Sequence, residues 1–179
     1  MAELYHDDSW TDTVVEVPFE YLMDEGLPYG LAESGMILSS RGLRNGRRVR
    51  LRDPGDWPYC QAVVLEEVKG SGVAVLNADD EAAWDQGRRV LARKVFFSRN
   101  GKLRFFAEHI AGGHPGILVT GDDIELRQWR EVRSLGSWED YGLTDPSSQD
   151  GLLGVMGVLV GLGWPAWKVR AVLRGVVGE

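Results

Sequence analysis

The stretch RVLARKVFFSRNGKLRFFAEH, residues 89–109, decides the fold that this chain predicts. At its centre stand Asn100 and Gly101, the two residue types that most readily take the left-handed backbone of a tight hairpin turn. The flanking runs, 89–99 and 102–109, carry Val and Phe at strand-like density and read as two antiparallel strands. A two-residue turn then sets the register: Arg99 faces Lys102, Phe97 faces Arg104, Val95 faces Phe106 and Arg93 faces Glu108. One side of that hairpin would combine basic and aromatic groups.

Upstream, residues 46–52 alternate cleanly, with Val49 and Leu51 on one side and Arg48, Arg50 and Arg52 on the other. Pro54, Gly55, Asp56 and Pro58 form a turn cluster, and the apolar run from Ala62 to Leu65 reads as a strand buried on both faces. Val73 to Leu76 is its expected hairpin partner, across Lys69, Gly70, Ser71 and Gly72. Residues 46–76 thus resemble a small SH3-type barrel in pattern. Asn77 to Gln86 opens with Asn and Asp caps and stops at Gly87, which predicts one short helix. Further strands are expected at 13–19, 117–120 and 124–129, the last two joined across Gly121, Asp122 and Asp123.

Residues 134–148 read as a linker, rich in Gly and Ser, and two helices come after it, near 150–162 and 165–177, with Pro165 at the second start, where its missing donor costs nothing. The expected fold is mostly β, of the α+β class: a small curved antiparallel sheet or SH3-like barrel with one short inserted helix and a C-terminal two-helix hairpin. The organisation expected is an acidic arm at 1–40, a β domain at 41–133, a linker at 134–149 and the helical hairpin at 150–179.

The 179 residues are enough for one domain with its own core, and 44% hydrophobic and 26% charged residues describe an ordinary folded protein. The single cysteine, Cys60, cannot form an internal disulfide, and no cationic N-terminal region precedes an apolar stretch, so a cytoplasmic location is expected. A formal charge of −7 repels polyanions on average. The charge is segregated, however. Before Arg41 every charged side chain is acidic (Glu3, Asp7, Asp8, Asp12, Glu16, Glu20, Asp24, Glu25 and Glu33), and the next run, Arg41 to Arg52, is wholly basic.

The arginine strand and the basic hairpin are therefore the expected anion-binding surface. Arg48, Arg50, Arg52, Arg93, Arg99, Lys102 and Arg104 supply donors suited to phosphate, and Phe97 with Phe106 supplies stacking platforms. The bland alternative is a set of solvated faces over an aromatic core. Residues 151–167 carry no charge, so Leu153, Met156, Val160, Trp164 and Trp167 are the expected contacts to a protein partner or a second copy. That run is short of the roughly 20 residues a membrane span needs, and Pro165 breaks it, so a membrane partner is not expected.

No nucleophile set and no phosphate-cradling loop is present in local context, and no cofactor is implied. The functional expectation is a non-catalytic binding and assembly protein, meeting nucleic acid ahead of acidic protein. A structural subunit of a virion or multisubunit assembly is the first alternative. A metal-dependent hydrolase built on His109, His114 and Asp122 or Asp123 is the second, though five residues of loop between two histidines define no ligand geometry.

Overall fold

A computed structural model describes residues 32–39 and 57–177. The acidic segment before residue 32, the expected strand at 13–19 and the arginines 48, 50 and 52 lie outside the described residues. Among those described, six strands form one open sheet in chain order: β1 (Ala32–Ile37), β2 (Val68–Asn77), β3 (Arg93–Ser98), β4 (Gly116–Thr120), β5 (Asp123–Gln128) and β6 (Glu131–Ser137). The first four run parallel, and β4, β5 and β6 form an antiparallel meander. This mixed, open α/β sheet replaces the expected small antiparallel curved sheet or SH3-like barrel.

Parallel neighbours need crossovers, and helices supply them. Helix α1 (Trp57–Glu66) precedes β2, α2 (Glu81–Gln86) with a 3-10 turn after it precedes β3, and α3 (Arg104–Ala111) precedes β4. They pack on one face, where Leu65, Ala83 and Phe106 meet Ala74, Leu76, Phe96 and Leu118. After β6 come α4 (Trp138–Tyr141), α5 (Pro146–Gly161) and α6 (Ala166–Val177). These cover the other face, where Leu153, Met156, Val169 and Leu173 meet Val73, Val75, Val95, Phe97 and Ile117. Successive residues of β2 and β3 thus serve opposite layers, as a pleat of period two requires.

Two departures from the sequence reading explain the change of class. Ala62 to Leu65 lies in α1, since a four-residue apolar run has no period to separate a strand from a buried helix. Asn100 and Gly101 turn the chain into α3 instead of a return strand. There Arg104 and Glu108 pair at 2.7 Å with helical spacing, and Leu103, Phe106 and Ile110 share the inner side. The stretch from Lys69 to Gly72 is part of β2 itself, so no hairpin joins it to α1.

Other expectations hold. Helix α2 is capped by Asp80, whose side chain accepts from the Ala83 N–H at 3.2 Å, and it stops at Gly87. Strands β4 and β5 pair with Thr120 opposite Asp123. Both C-terminal helices form, the first starting at Pro146 inside the expected linker. The sheet also draws on segments either side of the expected boundaries, since β1 precedes residue 41 and β6 continues past 133.

Candidate functional site

The described members of the expected anion surface do not converge. Arg93 opens β3 and Arg99 lies just past its end, a separation of roughly 20 Å along the strand. Between them Phe97 is 1% exposed, packed beneath α5, so it offers no face to a base; burial of such a ring stabilises by about 1.5–3 kcal/mol. Phe106 is buried on the opposite layer. Arg104 sits on α3 with Glu108 as its partner, and Lys102 lies in the preceding loop. The guanidinium of Arg99 is committed: Nε and Nη2 donate to Asp150 Oδ1 at 3.1 and 2.8 Å, and Nη1 donates to Gln149 Oε1 at 2.8 Å. It also lies over the Trp138 ring at 5.1 Å.

The expected docking residues divide in two. Leu153 and Met156 are fully buried and Val160 nearly so, because the uncharged helix α5 finds its cover on this chain's own sheet. They are core, not partner contacts. Trp164 is half-buried beneath the Lys168 ammonium, 3.9 Å from its ring centre, and Trp167 points outward, 72% exposed. Among the described residues no helix is long and apolar enough to cross a membrane.

Open α/β sheets usually hold ligands beyond the carboxyl ends of parallel strands, at a reversal of strand order. Here β1 to β4 succeed one another without reversal. The groups at that edge bind each other: Asp79 accepts from Ser98 Oγ and from the Arg99 backbone N–H, both at 2.6 Å, and Asn77 Nδ2 donates to the Leu38 carbonyl at 2.9 Å. They tie the ends of β1, β2 and β3 together.

The histidines form a packed pair. The rings of His109 and His114 stack at 4.9 Å, and His109 Nε2 donates to the Pro115 carbonyl at 3.1 Å. Burial pushes His109 down to about 4, with smaller contributions from His114 and Lys94 against the opposing Pro115 bond. Asp122 and Asp123 do not complete a site, and among the described residues no three His, Cys, Asp or Glu side chains converge on a metal position.

A different place gathers charge around a cavity. Between β6 and α6 lies an open groove of about 770 Å³, lined by Arg133 and Ser134 of β6, Pro165 just before α6, and Ala166, Trp167, Arg170, Ala171 and Arg174 of α6. Helix α6 is amphipathic: Ala166, Val169 and Leu173 enter the core, which turns Trp167, Arg170 and Arg174 toward the groove. Arg133 pairs with Glu131 and Arg174 with Asp140. Arg170 makes no ion pair within 4 Å among the described residues, and it adds to the positive field on Asp140.

Asp140 is held by the start of α4. Its carboxylate accepts from the Ser137 backbone N–H at 3.0 Å, while Ser137 Oγ accepts from the Asp140 N–H. The Arg174 hydrogen bond, then the Ser137 one, keeps the Asp140 carboxyl below its ordinary range, and Asp140 in turn raises Arg174. Even so, Arg174 Nε is buried with no hydrogen-bond partner among the described residues. A buried N–H donor without an acceptor is uncommon and calls for one. Of these residues only Trp167 is an expected contact from the sequence; Arg170, Arg174, Arg133 and Ser134 are not, because only the tertiary fold brings β6 beside α6.

Fold and groove together define an open α/β sheet protein with a cationic, aromatic-lipped cleft on its antiparallel edge. No family model matches the chain, and no curated protein matches it. Two solved structures of similar shape are ligases. One is UDP-N-acetylmuramate:L-alanyl-γ-D-glutamyl-meso-diaminopimelate ligase from Neisseria meningitides, 11% identical, with a TM-score of 0.45, 68% of this chain covered and 34% of that one. The other is UDP-N-acetylmuramoylalanyl-D-glutamyl-2,6-diaminopimelate–D-alanyl-D-alanyl ligase from Acinetobacter baumannii, 10% identical, with a TM-score of 0.49, 79% of this chain covered and 28% of that one. This chain spans about a third or less of either length. At these values neither ligase lends it an activity.

Proposed function

We propose that this chain is a non-catalytic binding and assembly protein that meets an anionic partner through the groove between β6 and α6. The observation that carries the reading is Arg170, a guanidinium without an ion-pair partner among the described residues, beside the outward indole of Trp167. Arginine and tryptophan are both enriched at the energetic centres of interfaces. On a molecule of net charge −7, such a spot is where an acid can approach.

Acidic protein is favoured over nucleic acid as the partner. Two of the three groove arginines already face Glu131 and Asp140, which leaves a small surplus of charge rather than a track for a phosphate backbone. The rings that a base would stack on, Phe97 and Phe106, are core. The assembly surface moves as well, to α6, where Val172 and Val176 are exposed on the flank of the helix away from Trp167.

The test uses the full chain and its Arg170→Glu variant. Fluorescence anisotropy with labelled poly-glutamate and with single- and double-stranded 20-mers is read across a salt series. The reading expects poly-glutamate to bind and to lose about tenfold in affinity on charge reversal. Equal binding by both proteins removes the groove from the function.

A further inference from the structure

Strand β6 is the last of the sheet, and among the described residues it pairs only with β5. An edge strand turns the N–H and C=O of every second residue outward, unpaired. Its first four residues, Glu131 to Ser134, are exposed, and two of them, Arg133 and Ser134, line the groove whose other wall is α6. A free strand edge beside a helix is the arrangement in which an extended peptide adds as another strand, its backbone on the edge and alternate side chains between strand and helix.

The side chains bordering this edge set the chemistry of the visitor. A strand added about 4.8 Å outside β6 would send every second side chain toward Arg133, Arg170, Arg174 and Trp167. Acids there would meet Arg170, and an apolar residue would lie on the Trp167 ring. Glu131 and Arg133 keep the same edge from accepting purely apolar strands, because such a strand would bury their charges without exchange.

We infer that β6 is a docking edge for an extended acidic segment of another protein, which extends the sheet by one strand and fills the groove against α6. This rests on the reading of the groove as an anion-partner site, and it adds a backbone requirement that side-chain docking lacks. The segment recognised alternates acidic with aliphatic or aromatic residues.

The experiment uses the full chain and a fluorescein-labelled octapeptide, Glu-Val-Glu-Phe-Glu-Val-Glu-Val. A second peptide carries N-methyl groups on alternate amides. The inference expects the first to bind, and both N-methylation and Arg170→Glu to weaken binding by about tenfold or more. Amide hydrogen exchange at residues 131–134 should slow on binding. Trp167→Ala, a substitution at an exposed side chain, checks the groove in a variant whose core is untouched, and its affinity should fall as well. Should the methylated peptide bind as well as the first, with no slowing at 131–134, the added strand is wrong while the groove stands. If no acidic peptide binds but a 20-mer oligonucleotide does, in an Arg170-dependent way, the partner class is wrong. If neither binds, the groove reading fails and this inference with it.

Discussion

Gly157 of α5 lies directly on Val75 of β2: a Cβ built on the glycine would stand 2.6 Å from Val75 Cγ1. The helix therefore rests on the sheet at a distance that a side chain at 157 could not keep without displacing Val75. Gly151, earlier in the same helix, has nothing within 4 Å of its would-be Cβ. The pair makes a controlled prediction. Gly157→Ala should lower stability by up to about 2 kcal/mol, the difference between overpacking of about 1–3 kcal/mol and a gain of about 1 kcal/mol in helix propensity. Gly151→Ala should raise it by about 0.5–1 kcal/mol. Urea denaturation of both reads the difference; equal shifts would mean that α5 does not sit on β2 as closely as described.

Arg99 fastens the end of β3 to the start of α5 through Asp150, with Gln149 as a second acceptor. Both members of the ion pair keep about a third of their side-chain surface in water, so the coupling is modest. A double-mutant cycle with Arg99→Ala and Asp150→Ala should give about 0.5–1 kcal/mol, reduced in high salt. A coupling of zero would identify Arg99 as free to serve an anionic partner, the role its sequence context predicts.

How much of the fold the chain betrays depends on where the information sits. Local features survive: Asp80 and Gly87 bound α2, the alternation of Ile117 and Val119 with Ile124 and Leu126 marks the β4–β5 hairpin, and the uncharged run with Pro165 marks the last two helices. Parallel pairing leaves no such trace, because the partner of β2 lies some twenty residues away across a helix and both its faces are apolar. Asn100 and Gly101 indicate a turn correctly but leave the element beyond it open. The spacing of Arg104 with Glu108, and of Leu103 with Phe106 and Ile110, is the evidence for a helix there, and it competes with a run of strand-forming residues. Of the groove only Trp167 is legible, as an expected partner contact; Arg170 and Arg174 come to share its side of α6 only once Val169 and Leu173 enter the core, and the other wall belongs to an unremarkable strand.

Trp129 holds a left-handed backbone, φ 55°, in the tight turn between β5 and β6, where its N–H donates to the Ile110 carbonyl at 2.9 Å. A bulky residue is disfavoured there by about 1–2 kcal/mol, and its indole is 70% exposed, so little packing offsets the cost. Trp129→Asn should raise the thermal midpoint, corresponding to about 0.5–1 kcal/mol, with the fold unchanged by circular dichroism. A fall of similar size would show that the indole covers something this geometry leaves open.

His109 predicts how stability depends on pH. In the folded chain burial lowers its value to about 4 from an ordinary 6.5, and the groups facing it are the His114 ring, the Lys94 ammonium and the Pro115 carbonyl. Above about pH 6.5 the ring is neutral in both states and contributes its full share. Between 6.5 and 4 the unfolded chain takes up a proton that the folded chain refuses, so stability falls as pH falls through that window. At about 1.4 kcal/mol per unit the loss would near 3 kcal/mol, and the part of the ring that stays in water reduces the expectation to about 1–2 kcal/mol. His109→Gln, whose amide can still donate to Pro115, should flatten the slope between pH 6.5 and 4 while the carboxylates titrate as before. The quantity to compare is the difference between the two proteins in urea midpoint at each pH. Parallel curves would place the His109 proton outside the folding equilibrium and show the ring to be far more open to water than its packing against Phe96 and His114 implies.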